Sequence, residues 1–220
     1  AFNARVDAYV KQFKESGAWE REYNAWNANP VELKQNIDDE ASYIKTWFSE
    51  NFDNLRDKLF AGIPTDIVEK KSDYETIGEK LNTQSLPLVN ITVEKDNVSG
   101  DSYTNAAMEI NDPLKRTGGN QIAKFNCKVK YHGQKSLKYD KKSFTVKLLN
   151  DNGKSLDTNI MNIRKDDTWI LDAMQTDPSR LRNRINSDIW NSFSFTPYDN
   201  GNNQRNGTRG YMVEVFINGD

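Results

Sequence analysis

The chain has 220 residues, of which 36 % are hydrophobic and 28 % are charged, and its formal net charge is −2. This composition is typical of a folded globular chain and excludes a disordered polyelectrolyte. The nearly neutral charge gives no electrostatic reason to expect a nucleic acid or an acidic membrane surface as partner, and no apolar run approaches the roughly 20 residues of a bilayer span. The single cysteine, Cys127, excludes an intrachain disulfide and lies in an apolar alternation, so we expect a buried, unreactive thiol.

Residues 1–62 carry helical periodicity and are predicted to form a helical hairpin. The second helix has a start signal, because Asn29 can cap a helix and Pro30 suits its first turn. Polar residues 63–85 are predicted to be a connection. The two apolar stripes are Phe2, Val6, Tyr9 and Phe13, and then Leu33, Ile37, Ala41, Ile44, Phe48, Leu55 and Leu59.

From residue 86 the apolar period changes to two, which indicates β-strands. Short polar turns join consecutive strands, so the sheet is predicted to be mostly antiparallel, and no βαβ rhythm appears. The predicted strands cover residues 86–93, 106–110, 122–131, 143–149, 169–173 and 211–217. The chain is therefore predicted to be an α+β protein, with the helical hairpin followed by an α+β domain over residues 86–220.

One further helix is predicted to pack on this sheet. Asp177 can cap it, Pro178 fits its first position, and an apolar residue recurs every fourth position from Leu181. Arg182 and Asn183 then lie in the first turns, where they can face a phosphate or clamp a neighbouring carboxylate.

A cluster of lysines surrounds the strand that begins at Ser143, and it suggests an anion site. By alternation Lys141 and Lys147 share the side of Ser143, whereas Lys142 points to the apolar side, where an ammonium is costly unless it meets an anion. Alternatively, Lys142 extends its ammonium to solvent at the strand start. The preceding turn, with Gly133 and Ser136, can receive a phosphate, but its spacing is not that of a P-loop.

Known metal and triad spacings are absent from the sequence. His132 is the single histidine, and no paired-cysteine or Asp-x-Asp motif occurs. We therefore expect no metal centre that these residues build on their own.

Four motifs in order resemble the spore-coat protein H (CotH) kinase family. They are residues 141–147 (Lys-Lys-Ser-Phe-Thr-Val-Lys), 169–174 (Trp-Ile-Leu-Asp-Ala-Met), 177–183 (Asp-Pro-Ser-Arg-Leu-Arg-Asn) and 213–219 (Val-Glu-Val-Phe-Ile-Asn-Gly). The resemblance covers residues 86–220. It implies the amino-terminal part of a secreted, atypical protein-kinase-like domain of bacterial spore-coat type, which uses ATP and a divalent metal such as Mg²⁺ to phosphorylate protein serine.

The resemblance also implies roles for particular residues. Lys142 or Lys147 is a candidate phosphate contact, Arg182 and Asn183 are expected near the nucleotide, and Ser136 belongs to the turn beside it. The family usually has arginine at the position of His132 and Asn-Ser-Ser near residues 134–136. Its catalytic and metal-binding aspartates follow residues 213–219, so this chain alone is expected not to catalyse phosphoryl transfer.

Residues 1–60 resemble the helical end that closes the domain in the same family. Here they come first, which is expected for a junction between tandem copies or for a permuted domain. The alternative function, suggested by the same sheet without its catalytic aspartates, is a non-catalytic extracellular module that binds protein or glycan.

Overall fold

The computed structural model describes residues 2–27, 31–59, 86–93, 98–193 and 207–219. Within them the helices are α1 (Phe2–Glu15), α2 (Ala18–Trp26), α3 (Ile37–Leu59) and α4 (Arg182–Phe193), with a 3₁₀ helix at Lys135–Lys138. The strands are β1 (Leu88–Val93), β2 (Thr104–Asn111), β3 (Ile122–His132), β4 (Ser143–Leu149), β5 (Thr158–Asn159), β6 (Lys165–Asp166), β7 (Thr168–Leu171) and β8 (Glu214–Ile217). The predicted α+β class is confirmed.

The main sheet has the strand order β7-β4-β3-β2-β1-β8. Its neighbouring strands pair antiparallel except for β8, which pairs parallel with β1 through Val89 opposite Val215. The predicted meander is thus confirmed from β1 to β4, and β8 joins the free side of β1 after a long excursion. The short pair β5 and β6, which the sequence analysis missed, forms a separate ribbon.

The two faces of the sheet differ in character, because side chains alternate along each strand. The inner face is apolar and forms a core with Ile160 and Met161; its buried members include Val89, Ile91, Met108, Ile110, Cys127, Val129, Val146 and Leu148. The outer face carries Lys128, Lys130 and Lys147. Cys127 is 1 % exposed, as expected, and its burial raises the pKa of the thiol to about 11; its lack of reactivity stays a prediction.

The amino-terminal region folds differently from the predicted hairpin. Its described residues form three helices instead of two, because Gly17 adopts a left-handed conformation (φ 69°) that ends the first helical stretch. The prediction that the next helix begins at Asn29 and Pro30 is wrong: those two residues lie outside the described residues, residues 31–36 are not helical, and α3 begins at Ile37. Asn36 caps it, since its side-chain oxygen accepts a hydrogen bond from the Asp38 amide at 3.1 Å.

These helices share a core with α4 and do not stand apart from it. Leu181 and Ile185 pack in the same apolar cluster as Val6, Tyr9 and Ile37. None of the described helices is long and apolar enough to cross a membrane.

A buried polar network joins α1 to α4. The Asp188 carboxylate accepts hydrogen bonds from Arg5 Nε at 3.0 Å, the Tyr9 hydroxyl at 2.7 Å and Arg184 Nε at 3.1 Å. Burial, together with the Asp188 charge, raises the pKa of Tyr9 well above its ordinary value. Because buried charges need partners, this network fixes the position of the amino-terminal helices on the rest of the fold.

The start of α4 also differs from the prediction. The helix begins at Arg182 rather than at Pro178, because Arg180 adopts a left-handed conformation (φ 57°) that no continuous helix accepts. Asp177 still caps, since its carboxylate accepts hydrogen bonds from the amides of Ser179 at 3.0 Å and of Arg182 at 2.8 Å. Asp177 therefore accepts backbone hydrogen bonds as predicted, but in the turn that precedes α4 and not at a helix that begins at Pro178.

Candidate anion-binding cavity

A cavity of about 1110 Å³ lies against the inner face of the sheet. Its apolar wall includes Trp169, Leu171 and Val215, and its polar rim includes Lys141 and Asp172. A cavity with mostly apolar walls and a few convergent polar groups is the usual form of a small-molecule site.

Two cations at the rim share one carboxylate. Lys141 Nζ lies 2.6 Å from each carboxylate oxygen of Glu22, and Arg180 Nε donates to Glu22 Oε1 at 2.8 Å. The three side chains are largely buried, with exposed fractions of 22 % for Lys141, 17 % for Glu22 and 3 % for Arg180. The trio carries one excess positive charge, which favours an anionic ligand.

The electrostatic environment of Lys141 reflects this burial. Desolvation lowers the pKa of its ammonium, while the charge of Glu22 and its hydrogen bond act in the opposite direction. Arg180 lowers the pKa further, and Asp172 raises it. A ligand anion beside Lys141 is therefore expected to stabilise its charged form.

The loop before α4 fixes the guanidinium of Arg180. Its Nη1 donates to the backbone carbonyls of Met174 at 2.9 Å, Gln175 at 2.8 Å and Asp177 at 2.7 Å. With its Nε bound to Glu22, this side chain joins the loop to α2, so its position at the rim is set by the fold before any ligand arrives.

Helix α2 bridges distant parts of the sheet. Glu22 contacts Lys141 at the entrance to β4, and the adjacent Arg21 binds Glu214 of β8 through Nε at 2.6 Å and Nη2 at 2.7 Å. Three strands separate β4 from β8 in the sheet order. Two consecutive residues of α2 therefore contact two strands that are far apart in the sheet order. The hydrogen bonds of Arg21 with Glu214 raise the pKa of its guanidinium.

A second polar group lies beside the trio at the ends of β4 and β7. Asp172 Oδ1 accepts hydrogen bonds from the Met174 amide at 3.0 Å and from the Ser143 hydroxyl at 3.4 Å. Asn183 Nδ2 lies 3.4 Å from the other oxygen of Asp172. Asp172 is exposed, so its carboxylate is accessible from the cavity rim.

Three of the sequence-predicted site residues line this cavity: Ser136, Lys142 and Asn183. Lys142 Nζ donates to the carbonyl of Leu137 at 2.6 Å and to that of Tyr139, so backbone oxygens of the 3₁₀ helix and the residue after it satisfy its ammonium. The Ser136 hydroxyl contacts the His132 carbonyl at 3.4 Å. Their contact with a nucleotide stays a prediction.

The other two predicted residues are not brought to the cavity. Lys147 lies on the outer face, where its Nζ is 3.1 Å from Asp167 Oδ2. Arg182 lies beside Tyr43 and within 4.0 Å of Glu40, and neither residue lines the cavity. The structure thus separates Lys147 and Arg182 from Lys142 and Asn183.

The sequence analysis missed the roles of Lys141, Glu22 and Arg180. Alternation assigned Lys141 to the side of Ser143 and Lys147, but Lys141 precedes the strand and contacts Glu22 at the cavity rim, and a strand pattern does not show that a helix covers that end. Glu22 lies 119 residues before Lys141, and nothing in its local sequence distinguishes it from other helix-surface glutamates. Arg180 belongs to the 177–183 motif and was detectable there.

Among the described residues, no group of three or more histidine, cysteine, aspartate or glutamate side chains is arranged to hold a metal ion.

Comparison with known proteins gives one family match. Residues 129–220 match the family model described as CotH kinase protein. No curated protein and no solved structure matches the chain. The match includes Lys141, Asp172 and Arg180, whereas Glu22 and the strands β1 and β2 lie outside it. Residues 129–220 of this α+β chain are therefore similar to the CotH kinase protein family.

Proposed function

We propose that the cavity binds ATP with Mg²⁺ and that the chain forms the nucleotide-binding part of a CotH-like protein kinase. The observation that carries the proposal is the contact of Lys141, in the CotH-matching segment, with both oxygens of Glu22, at 2.6 Å each, on the rim of the cavity. In protein kinases a sheet lysine that pairs with a helix glutamate contacts the nucleotide phosphates. We assign these two roles to Lys141, which lies two residues before β4, and to Glu22 of α2.

The remaining features of the cavity support a nucleotide. Its apolar wall suits a flat base, and the excess positive charge of Lys141 and Arg180 over Glu22 suits the phosphates. Mg²⁺ is commonly held by one or two carboxylates together with substrate phosphates, and the exposed carboxylate of Asp172 can supply one such ligand. When bound, the metal neutralises charge on the phosphates.

The family match extends the proposal to the biology of the intact protein. By this similarity the acceptor is a serine of a protein, and the location is secreted or at the surface of a bacterium. These finer statements rest on the resemblance alone, whereas nucleotide binding also has the support of the cavity.

Nucleotide binding can be tested by thermal unfolding of the chain with Mg-ATP. A ligand that binds the native state raises the unfolding midpoint, by an amount that grows with its concentration. We expect Mg-ATP at millimolar concentration to raise the midpoint and Lys141→Met to abolish this rise. The matched control is Lys147→Met, which removes a lysine from the outer face of β4, the strand that Lys141 precedes, and should leave the rise unchanged.

Three further measurements make the test decisive. Circular dichroism of Lys141→Met establishes that the variant is folded, and Lys142→Ala tests the sequence-predicted contact separately. Tripolyphosphate and adenosine, titrated alone, distinguish a phosphate site from a base site. The absence of a midpoint shift with Mg-ATP in the parent chain would contradict the proposal and favour a non-catalytic binding module.

A further inference from the structure

The outer face of the sheet is strongly cationic. Residues 124–147 include eight lysines and a single acidic residue, Asp140, in a chain whose net charge is −2. Alternation along β3, together with the pairing of Lys128 opposite Lys147, places Lys124, Lys128, Lys130 and Lys147 on this face. The face lies opposite the cavity and is independent of the proposed nucleotide site.

The fold neutralises two of these four lysines. Lys124 Nζ lies 3.0 Å from Glu109 Oε2 on β2, and Lys147 Nζ lies 3.1 Å from Asp167 Oδ2. Each acid comes from an adjacent part of the sheet or its connection. Lys124 and Lys147 are therefore each balanced by a neighbouring carboxylate, as is usual on a sheet, whereas Lys128 and Lys130 lie between them.

The central pair, Lys128 and Lys130, is treated differently. Their ammonium groups lie 5.2 Å and 5.1 Å from the centroid of the Tyr103 ring, and neither has a carboxylate partner within the described part of the chain. A cation over an aromatic ring is attracted by the ring quadrupole. The two like charges beside the same ring repel each other, however, and an external anion would relieve this repulsion.

We propose that Lys128, Lys130 and Tyr103 form a docking surface for an acidic polypeptide in extended conformation. The two lysines are two residues apart on a strand, so their side chains emerge about 6.7 Å apart. Alternate side chains of an extended peptide have this same spacing. Carboxylates at alternate positions of such a peptide can therefore meet both ammonium groups, which the ring already holds in place.

The occupation of the Tyr103 ring argues for a peptide over a single-stranded nucleic acid. Single-stranded nucleic acids gain affinity by stacking bases on open aromatic faces, but here two lysines lie over the ring. The exposed neighbours Asn105, directly opposite Lys128, and Asn126 can instead exchange hydrogen bonds with peptide groups at the border of the surface.

The test uses a short fluorescein-labelled peptide in which glutamate alternates with threonine, measured by fluorescence anisotropy against the whole chain. We expect binding that weakens with salt and a loss of about tenfold or more in Lys128→Ala/Lys130→Ala, since both charge contacts are removed. Lys11→Ala/Lys34→Ala removes the same charge from exposed positions in the helical region and should bind normally. Tyr103→Leu should give an intermediate loss, because the lysines keep their charge and lose their alignment.

Three outcomes would overturn the proposal. The first is equal binding by Lys128→Ala/Lys130→Ala and the parent chain. The second is an equal loss in the Lys11→Ala/Lys34→Ala control, which would indicate general charge attraction. The third is binding of a single-stranded oligonucleotide or heparin, but not of the peptide, that depends on Lys128 and Lys130, which would assign the surface to another class of partner. None of these outcomes depends on whether the cavity binds ATP.

Discussion

Two pairs of neighbouring cations among the described residues, Lys141 with Arg180 and Lys128 with Lys130, differ in their surroundings. Lys141 and Arg180 are largely buried and share the Glu22 carboxylate, whereas Lys128 and Lys130 lie over Tyr103 on the outer face without a carboxylate among the described residues. Burial explains the difference, because a charge removed from water must be paired, while a charge at the surface is solvated. The buried pair is thus part of the fold, and the surface pair is available to a partner.

The largest effect is expected for Arg180→Ala. The substitution removes the donors of three backbone carbonyls and leaves Glu22 with Lys141 alone, in a place where the arginine side chain is 3 % exposed. Loss of one member of a buried pair typically costs about 3–5 kcal/mol of unfolding free energy. Urea denaturation measures this difference.

Arg182→Ala is the matched control for that experiment. The Arg182 side chain is 41 % exposed and its nearest carboxylate atoms lie 3.6 Å and 4.0 Å away, so we expect a change within about 1 kcal/mol. Equal losses in the two variants would show that burial does not distinguish these arginines.

The next largest effect is expected for Glu22→Gln, which keeps the shape of the side chain and removes its charge. Burial already lowers the pKa of Lys141, and the charge of Glu22 opposes this shift, so the variant should lower that pKa further and lose about 1–3 kcal/mol at neutral pH. Glu20→Gln, at an exposed position of the same helix, should have little effect.

The pH dependence of this variant gives an independent measurement. When the folded pKa of a lysine lies below its ordinary value of 10.5, the unfolded chain binds more protons between the two values, so the unfolding free energy rises with pH in that window. Glu22→Gln widens the window towards neutral pH. The stability difference between parent and variant should therefore shrink as pH rises towards 10.5, and a constant difference would contradict the role of Lys141. Tyr9 has a raised pKa and therefore lowers the unfolding free energy as the pH rises, but it does so equally in parent and variant, so its contribution cancels in the stability difference between them.

The sequence was informative where a pattern is local. Strand alternation predicts β1 to β4 and their antiparallel pairing, and the 177–183 motif marks the turn that carries Arg180. Alternation also places Lys147 on the polar side, but it cannot show that this side is the outer face, away from the cavity. That distinction depends on which face is covered by distant parts of the chain.

The sequence was uninformative where a contact joins distant segments. The pairing of Glu22 with Lys141 spans 119 residues, and neither position has an unusual local pattern. Lys142 was predicted as a candidate anion contact because alternation places it on the apolar side of a strand. In the structure its ammonium donates hydrogen bonds to the carbonyls of Leu137 and Tyr139. The start of α3 was misplaced for a related reason, since Asn29-Pro30 and Asn36 both fit the local rules for a cap.

A smaller effect is expected when the surface pair is removed without a ligand. Lys128→Ala/Lys130→Ala loses two contacts with Tyr103 and also relieves the repulsion between two ammonium groups, so we expect a net change in unfolding free energy within about 1 kcal/mol. Added salt should stabilise the parent chain more than the variant, because salt screens a repulsion that only the parent has. Denaturation at low and high ionic strength measures this difference, and a loss comparable to that of Arg180→Ala would contradict the assignment of this pair to the surface.

The smallest effect concerns the ion pair of Lys147 with Asp167 on the outer face. Hydrogen bonding from the Thr168 hydroxyl, at 2.6 Å, is the main cause that lowers the pKa of Asp167 to about 2 from 3.8, and Lys147 contributes less. The folded pKa is depressed, so this stabilisation is present above pH 3.8 and is lost as the pH falls towards about 2. Thr168→Val keeps the β-branched shape that suits a strand and removes the donor, so it should raise the pKa of Asp167 more than Lys147→Met does, as measured by NMR titration of the carboxyl. If Lys147→Met raised the pKa of Asp167 more than Thr168→Val did, the lysine would be the main cause of the low pKa. Lys147 would then differ from Lys128 and Lys130 only in having a carboxylate partner.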